Sequence, residues 1–249
     1  IKLTVLRLGW NPRASSPQLV ERLFRQQGVT VVFHAAAYKH VPLMETGNAW
    51  QALLNNVIGT YVAAQAAIVH GVEKFVLIST DKAVRPTNIM GATKRMAELV
   101  VQDLASRAQT TRYAMVRFGN VLGSRGSVLM SFRDQIANGG PLTVTHRGVT
   151  RYFMTISEAV QLVIQAGAIG DSGQALVLDM GTPVSIYEVA TQLVANSGKP
   201  IDIEIVGLRA GEKVHEELFG DGETDVRPAH PLISHVQVPS VSTDAIPVA

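Results

Sequence analysis

Ser79-Thr80-Asp81-Lys82 places two hydroxyls, a carboxylate and an amine side by side at the end of an apolar run, KFVLIS. An adjacent acid and base can protonate one atom of a bound molecule while removing a proton from another. A solvated loop with a local ion pair would show the same four residues, so the tetrapeptide does not decide the matter alone. Further along, Met90 and Lys94 are four apart, which puts them one turn apart on one face of a helix. A lysine there could hold a ribose hydroxyl and help a proton move. His34-Ala35-Ala36-Ala37 follows a second apolar run. Small residues at such a place admit a flat or bulky ligand to the backbone, or simply pack tightly. Tyr38, Lys39 and His40 add polar groups behind them. Arg117–Ser127 (RFGNVLGSRGS) is a polar loop with three glycines. Loops of this kind can cradle phosphate through backbone N–H groups, but the spacing is not that of a P-loop, and no GxGxxG occurs in the chain. Arg151 in TRYFM and Arg209 in LRAGEK could each clamp a phosphate with a planar fork. Read singly, each is an ordinary surface ion-pairing arginine.

The elements around these residues give them a common location. The patterning predicts a strand at Ile1–Leu8, a loop at Gly9–Ser16, and a helix at Pro17–Gln27 with Leu19, Val20 and Leu23 inward, ended by Gly28. Val29–Ala37 is a continuous apolar run of the kind that fits a parallel strand buried on both faces. Asn48–Gly71 has helical period, with Leu53, Leu54, Val57, Tyr61 and Val62 on its apolar side. Lys74–Ser79 and Arg112–Phe118 read as further buried strands. Between them lies a long helix, Asn88–Ala108, with Thr87 or Asn88 as its N-cap. This alternation calls for a parallel sheet with helices on both faces, the doubly wound α/β class. Such sheets bind ligands beyond the carboxyl ends of their strands, so Ala35–His40, Ser79–Lys82 and Gly119–Gly126 should share one edge. Beyond Gly126 the expected elements are helices at Val128–Asn138, Ser157–Gly170, Ile186–Ser197 and Glu212–Leu218. Strands are expected at Leu142–Thr145, Leu176–Met180 and Ile201–Val206. From Asp221 onward the chain reads as irregular.

Composition removes several function classes. The chain has 249 residues, enough for one or two domains. With 47% hydrophobic and 17% charged residues it is globular, not disordered. A net charge of +2 is too small to argue for nucleic acid. The absence of cysteine excludes disulfides, zinc–thiolate sites, iron–sulfur clusters and cysteine nucleophiles. His34, His40, His70, His146, His215, His230 and His235 show no HxxxH or HxH spacing, so no metal site is expected. Trp10 and Trp50 read as packing. No uninterrupted apolar run reaches the roughly 18 residues of a membrane span. The longest candidate, Ala159–Gly170, is broken by Gln161 and Gln165. No signal peptide is legible. The first residue is Ile1, not Met, which leaves an upstream membrane segment open.

Together, HAAAYKHVPLME, NNVIGT, KFVLISTDKAVRPTNIMGATKR, RFGNVLGSRGSV, TRYFMTI and LRAGEKVHEEL, in this order, resemble the CapD/WbpM-type polysaccharide biosynthesis proteins. These are UDP-N-acetylhexosamine 4,6-dehydratases of the extended short-chain dehydrogenase/reductase superfamily. The resemblance runs from about Gln18 to about Ile233. It implies an NAD-binding Rossmann-type sheet with a small C-terminal α/β substrate lobe. The family opens with a strand and a TGxxGxxG loop for the NAD pyrophosphate. Nothing like it is present, so by this resemblance the first βα unit is missing. The acidic residue expected near the adenine is also absent from Gly9-Trp10-Asn11-Pro12. Where classical members carry Tyr-x-x-x-Lys, this chain has Met90 before Lys94, and a subset of the family resembles it in this.

The resemblance implies a partial cofactor domain over 1–126 and a mainly UDP-sugar lobe over 127–249, with 150–182 returning to the main sheet. The implied reaction is an internal redox elimination. NAD, with NADP as the alternative, oxidises the sugar at C4, and water is lost across C5 and C6. The hydride then returns to C6. Asp81 would be the acid and Lys82 the base, with Thr80 on the C4 oxygen. The base for the C4 hydroxyl is left open between Lys82 and a water held by Lys94. The implied cofactor contacts are Ala35, Ala36, Ala37, Lys39, Asn56, Ser79, Lys94, Phe118 and Val121. The implied substrate contacts are His40, Asn120, Ser127, Val128, Thr143, Arg151, Met154, Arg209 and Glu212. The implied partners are a UDP-sugar, most simply UDP-GlcNAc, and further copies of the chain, with no nucleic acid and no membrane contact. The implied setting is the cytoplasm, or the cytoplasmic face of the inner membrane if a membrane segment precedes Ile1. The competing readings are a UDP-sugar epimerase or reductase on the same scaffold, and a non-catalytic UDP-sugar-binding relative.

Overall fold

Strands that are apolar at their inner positions can bury both faces of a sheet, and the central strands are built this way, with Lys74 and Arg117 buried at strand ends. The computed structural model describes residues 17–124 and 126–238, so the expected strand at Ile1–Leu8 and loop at Gly9–Ser16 lie outside the described residues. The first elements are α1 (Pro17–Gln27), β1 (Val31–His34), α2 (Val41–Glu45), α3 (Ala49–Ala52), α4 (Gly59–Val69), β2 (Lys74–Ile78), α5 (Ile89–Arg107) and β3 (Arg112–Arg117). They are followed by β4 (Asn120–Val121), α6 (Val128–Ala137), β5 (Leu142–Val144), β6 (Thr150–Arg151), β7 (Phe153–Met154), α7 (Ile156–Ile169) and β8 (Gln174–Leu178). The last are β9 (Val184–Ser185), α8 (Ile186–Ser197), β10 (Ile203–Ile205) and β11 (Ile233–Gln237).

The main sheet has five strands in the order β1-β2-β3-β8-β11. The first four are parallel and β11 is antiparallel to β8. Strand residues alternate between faces. Phe75, Leu77, Tyr113, Met115, Ala175 and Val177 meet Val20 and Phe24 of α1, Val62 and Ala66 of α4, and Ala97, Val101 and Leu104 of α5. Val76, Ala114, Val116, Leu176 and Leu178 meet Ala159, Leu162 and Ala166 of α7 on the other face. The result is the doubly wound α/β architecture. A smaller core packs β5 against α6 and α8 through Phe132, Leu142, Val144, Ile186 and Ala190. There β5 pairs in parallel with β10.

Five expectations need correction. β1 is not buried on both faces: Val31 is 44% and Phe33 39% exposed, because β1 is an edge strand among the described residues. The helix over Ala49–Val69 is not uniformly α; Leu53–Ile58 is π-helical. This helix is also long and apolar enough to cross a membrane, contrary to the reading of Ala159–Gly170 as the longest candidate. Half of its apolar window is buried, and Val57, Val62, Ala63, Ala64, Ala66 and Ala67 join the core beneath the sheet, as in the core helix of a globular domain. Glu212–Leu218 is not a helix but an irregular strap. The carbonyl of Val214 accepts from Thr150 N and from the Arg151 guanidinium, so it serves tertiary contacts instead of a helical turn. Finally, the stretch after Asp221 is not all irregular, since Ile233–Gln237 adds β11 to the sheet.

The parallel strands end together, and their exits share one edge of the sheet. Asn88 caps α5 by accepting from Gly91 N at 2.8 Å. Gly91 is required by space: a Cβ there would lie 2.3 Å from the Lys82 carbonyl oxygen. The helix can therefore lie directly against the turn after β2. Deeper along α5, Glu98 and Arg117 are both fully buried, and the guanidinium donates to both carboxylate oxygens at 2.8 Å. Burial opposes the charge on Glu98, but Arg117, Ser79 and Arg95 hold its carboxyl below the ordinary value. Removing one partner of such a pair leaves an uncompensated buried charge. Arg117→Ala should therefore lower the unfolding free energy by about 3–5 kcal/mol, measured by urea denaturation at pH 7.

Candidate active site

The tetrapeptide after β2 does not continue as strand. Thr80 caps a short 3₁₀ turn, Asp81–Ala83, by accepting from Lys82 N, and this turns the two charged side chains inward. Asp81 is fully buried. Its Oδ1 accepts from the Thr80 hydroxyl at 2.8 Å and from Lys82 Nζ at 3.0 Å, while its Oδ2 is buried with no hydrogen-bond partner. Lys82 Nζ also donates to Asn120 Oδ1 at 3.1 Å and lies 3.5 Å from Glu216 Oε1. Behind the turn, Ser79 donates to Glu98 at 2.6 Å. Lys94 reaches across from α5 and donates to the Ile78 carbonyl at 2.6 Å. Burial pushes Lys94 down to about 8, with Glu98 pulling it the other way. At the end of β1, burial and then Lys94 push His34 down to about 4; its Nε2 lies 3.1 Å from the Thr60 hydroxyl.

Ser79, Thr80, Lys82, Lys94 and Asn120 border a cavity of about 350 Å³. Of the expected residues, Ala35, Ala37, Lys39, His40, Ser79, Thr80, Lys82, Met90, Lys94, Phe118, Asn120, Val121, Ser127 and Val128 line it. The Ser127 hydroxyl is buried there without a partner. Asp81 lies just beneath, bonded to Thr80 and Lys82. Ala36 is in the same loop but off the lining.

The remaining expected contacts are not brought to the cavity. Asn56 is fully buried and its amide is spent on Tyr38 N, Tyr38 O and Thr93 Oγ1, so it clasps the loop after β1 to α5. Thr143 sits on β5, held by Gln135. Met154 is buried in the core, paired with Val121 across β4 and β7. Arg151 is turned inward, donating to the Thr150 and Val214 carbonyls and to Glu212 at 3.1 Å. Arg209 is exposed at the start of the strap and not before a helix. Glu98 and Glu216 escaped the sequence reading. Glu98 lies one turn beyond Lys94, which was a usable signal; Glu216 offered none beyond its place in VHEEL. A larger cavity of about 590 Å³, beside β11, contains none of the expected residues. Among the described residues no group of three or more His, Cys, Asp or Glu is placed to hold a metal ion.

A family model described as polysaccharide biosynthesis protein matches residues 14–238. The capsular polysaccharide biosynthesis protein CapD of Staphylococcus aureus is 56% identical over 195 residues, covering 77% of this chain and 32% of its own length. The probable polysaccharide biosynthesis protein EpsC of Bacillus subtilis is 54% identical over 206 residues, covering 82% and 34%. The chain thus spans about a third of the length of these two curated relatives. A UDP-glucose 4-epimerase of Rickettsia rickettsii is 40% identical over 201 residues, covering 79% of the chain and 58% of the relative. Among solved structures, Pen from Bacillus thuringiensis superposes with a TM-score of 0.82 at 34% identity, covering 90% of this chain and 70% of that one. DesIV, a dTDP-glucose 4,6-dehydratase from Streptomyces venezuelae with NAD and TYD bound, gives 0.73 at 22% identity, covering 83% and 69%. At that identity the likeness is one of fold.

The buried amine of Lys94 carries a stability cost with a definite pH window. Below about 8 the amine is charged in the folded and unfolded chain alike, and folding bears the full cost of burying the charge. Between about 8 and the unfolded value of 10.5 the folded chain sheds the proton first, so stability rises with pH. Lys94→Met should raise the unfolding free energy at pH 7 by about 2 kcal/mol and abolish that rise, measured by urea unfolding at pH 7 and pH 10.

Proposed function

The chain belongs to the polysaccharide biosynthesis protein family, and from that premise we propose that it carries out the NAD-dependent 4,6-dehydration of a UDP-N-acetylhexosamine, with UDP-GlcNAc as the substrate, for a surface polysaccharide. The observation that carries this reading is the Asp81–Lys82 pair, joined at 3.0 Å beside a cavity that Lys94 and Met90 also line. A C4 epimerase needs oxidation and re-reduction at one carbon. Loss of water across C5 and C6 needs, in addition, an acid and a base acting at neighbouring atoms, and an adjacent carboxyl and amine supply them.

The residues present fit one end of a nicotinamide cofactor. Ala35 and Ala37 leave space at the β1 exit, and Lys94 stands ready for a ribose hydroxyl at the cavity wall. When bound, NAD would accept hydride from sugar C4 and return it to C6. The chain's own groups do the rest. Thr80 holds the C4 oxygen. Asp81 Oδ2, buried and without a partner, carries the proton given to the departing C6 hydroxyl. Lys82 takes the C5 proton and returns it to C5 as C6 is reduced, and the proton of the C4 hydroxyl leaves through a water held by Lys94, which balances the one that Asp81 gives to the departing hydroxyl. Met90 cannot accept a proton, so it shapes the wall beside Lys94 and does no acid–base work. His40, Asn120, Ser127 and Val128 border the sugar, and the unpartnered Ser127 hydroxyl is a ready donor to it. Arg209 is the exposed cation for the diphosphate. Residues 1–126 serve the cofactor side and 127–249 mainly the UDP-sugar side, with 150–182 returning to the sheet. The chain works in the cytoplasm as a homo-oligomer.

Mass spectrometry of UDP-GlcNAc incubated with the protein and NAD tests the assignment. Loss of one water with no net NADH is the expected result. A product of unchanged mass with inverted C4 would assign a UDP-sugar epimerase in its place, as the name of the Rickettsia relative suggests. Asp81→Asn and Lys82→Met should each lower kcat for dehydration by about 10²–10⁴-fold. Both should retain binding of UDP-GlcNAc, checked by calorimetry.

A further inference from the structure

Glu216 is nine-tenths buried in the strap between Arg209 and Asp221, yet its carboxylate is poorly satisfied. Oε1 lies 3.5 Å from Lys82 Nζ and 4.0 Å from Arg151 Nε, and Oε2 is buried with no partner. Burying a carboxylate is costly unless it is well paired. A neutral side chain at this place would spare the fold that cost. The position of the carboxylate is nonetheless firmly set. Lys213 Nζ donates to the Val84 carbonyl at 2.9 Å, Thr87 Oγ1 donates to the Gly211 carbonyl at 2.8 Å, and Arg85 pairs with Glu217 and Asp221. The strap is thus tied on both sides of Glu216 to the segment that follows Lys82.

Lys82 faces a small set of charges: Asp81 at 3.0 Å, Glu216 at 3.5 Å, Arg151 behind Glu216, and Lys94, which lines the same cavity. In the proposed reaction Asp81 begins as the protonated acid. In that form it cannot balance the ammonium that Lys82 becomes on taking the C5 proton. Glu216 is the other carboxylate within 4.0 Å of Lys82 Nζ among the described residues. We infer that Glu216 is a positioning residue for this pair: it supplies the standing negative charge that holds Lys82 Nζ beside the cavity and balances the ammonium formed during elimination. The inference rests on the dehydratase reading for its role in turnover, but the Glu216–Lys82 coupling does not.

Two measurements separate these. The first needs no substrate: the rate at which acetic anhydride acylates Lys82, followed by peptide mass spectrometry in the whole protein. A carboxylate that stabilises the ammonium keeps the amine unreactive. Glu216→Gln should therefore label at Lys82 about threefold faster or more, with Lys94 labelling unchanged. Glu216→Asp, which keeps the charge, should stay close to the wild type. Equal Lys82 rates in wild type and Glu216→Gln, or a parallel rise at Lys94, would overturn the coupling. The second measurement is a double-mutant cycle on dehydration. Glu216→Gln should lower kcat about tenfold with little change in KM, and should cost nothing further in a Lys82→Met background. An equal loss in both backgrounds, or a loss confined to KM, would overturn the positioning role. If the wild type does not dehydrate UDP-GlcNAc, the reaction assignment fails and the labelling result still decides the coupling.

Discussion

Glu98 carries its charge where water does not reach, and Arg117, equally buried, meets it with a two-pronged contact at 2.8 Å. The pair joins α5 to β3, and Ser79, at the end of β2, adds a 2.6 Å bond to the same carboxylate. Arg117 reaches on to Glu223 at 2.8 Å, so the segment leading to β11 is held by the same guanidinium. A buried ion pair of this kind adds little net stability, because desolvation offsets most of the attraction. What it fixes is geometry. With β2, β3 and α5 locked at one point, the turn Thr80–Lys82 and the side chain of Lys94 have one relative placement. The fit of Gly91 against the Lys82 carbonyl makes that placement close.

The chemistry of the edge follows from two lysines in different surroundings. Lys94 is buried among apolar groups and the Ile78 carbonyl, and its amine is pushed down to about 8. Lys82 is partly open to the cavity and ringed by the oxygens of Asp81, Asn120 and Glu216. The first keeps its charge at pH 7 at the cost of burial, while the second is held by acceptors from three residues beside the cavity. Met90 lines the same cavity and adds an apolar side chain to it.

Much of this was legible because it is local. β2 and β3 are largely apolar between charged ends, and α5 announces itself with an Asn cap and a helical period, so the Ser79–Lys82 and Gly119–Gly126 edges could be placed from the residues alone. What failed was tertiary. ISHVQ is too polar to read as a buried strand, and it becomes one because Ser234 bonds Val226 and the strand pairs with β8. Glu212–Leu218 has helix-forming residues, yet Val214 and the strap's charged side chains are committed to β6 and to the Val84–Thr87 segment. Asn56 has the residue type of a ligand contact, but its amide is consumed by Tyr38 and Thr93. Glu216 required knowing which end of the chain lies over Lys82.

The same tertiary contacts bear on how a diphosphate would be held. Arg151 was an obvious candidate by residue type, but its guanidinium is nearly enclosed and already serves two carbonyls and Glu212. Glu212 in turn accepts from Thr145 at 3.0 Å and from the backbone N–H of Arg209 at 3.3 Å. The Arg151 guanidinium is thus already matched by acceptors, the Glu212 carboxylate among them. Recruiting Arg151 therefore requires Glu212 to give up its present partners. Arg209 is under no such constraint, being exposed at the mouth of the strap. Arg151 is thus engaged inside the protein, where it faces Glu216 and, through it, Lys82, while Arg209 carries an exposed guanidinium.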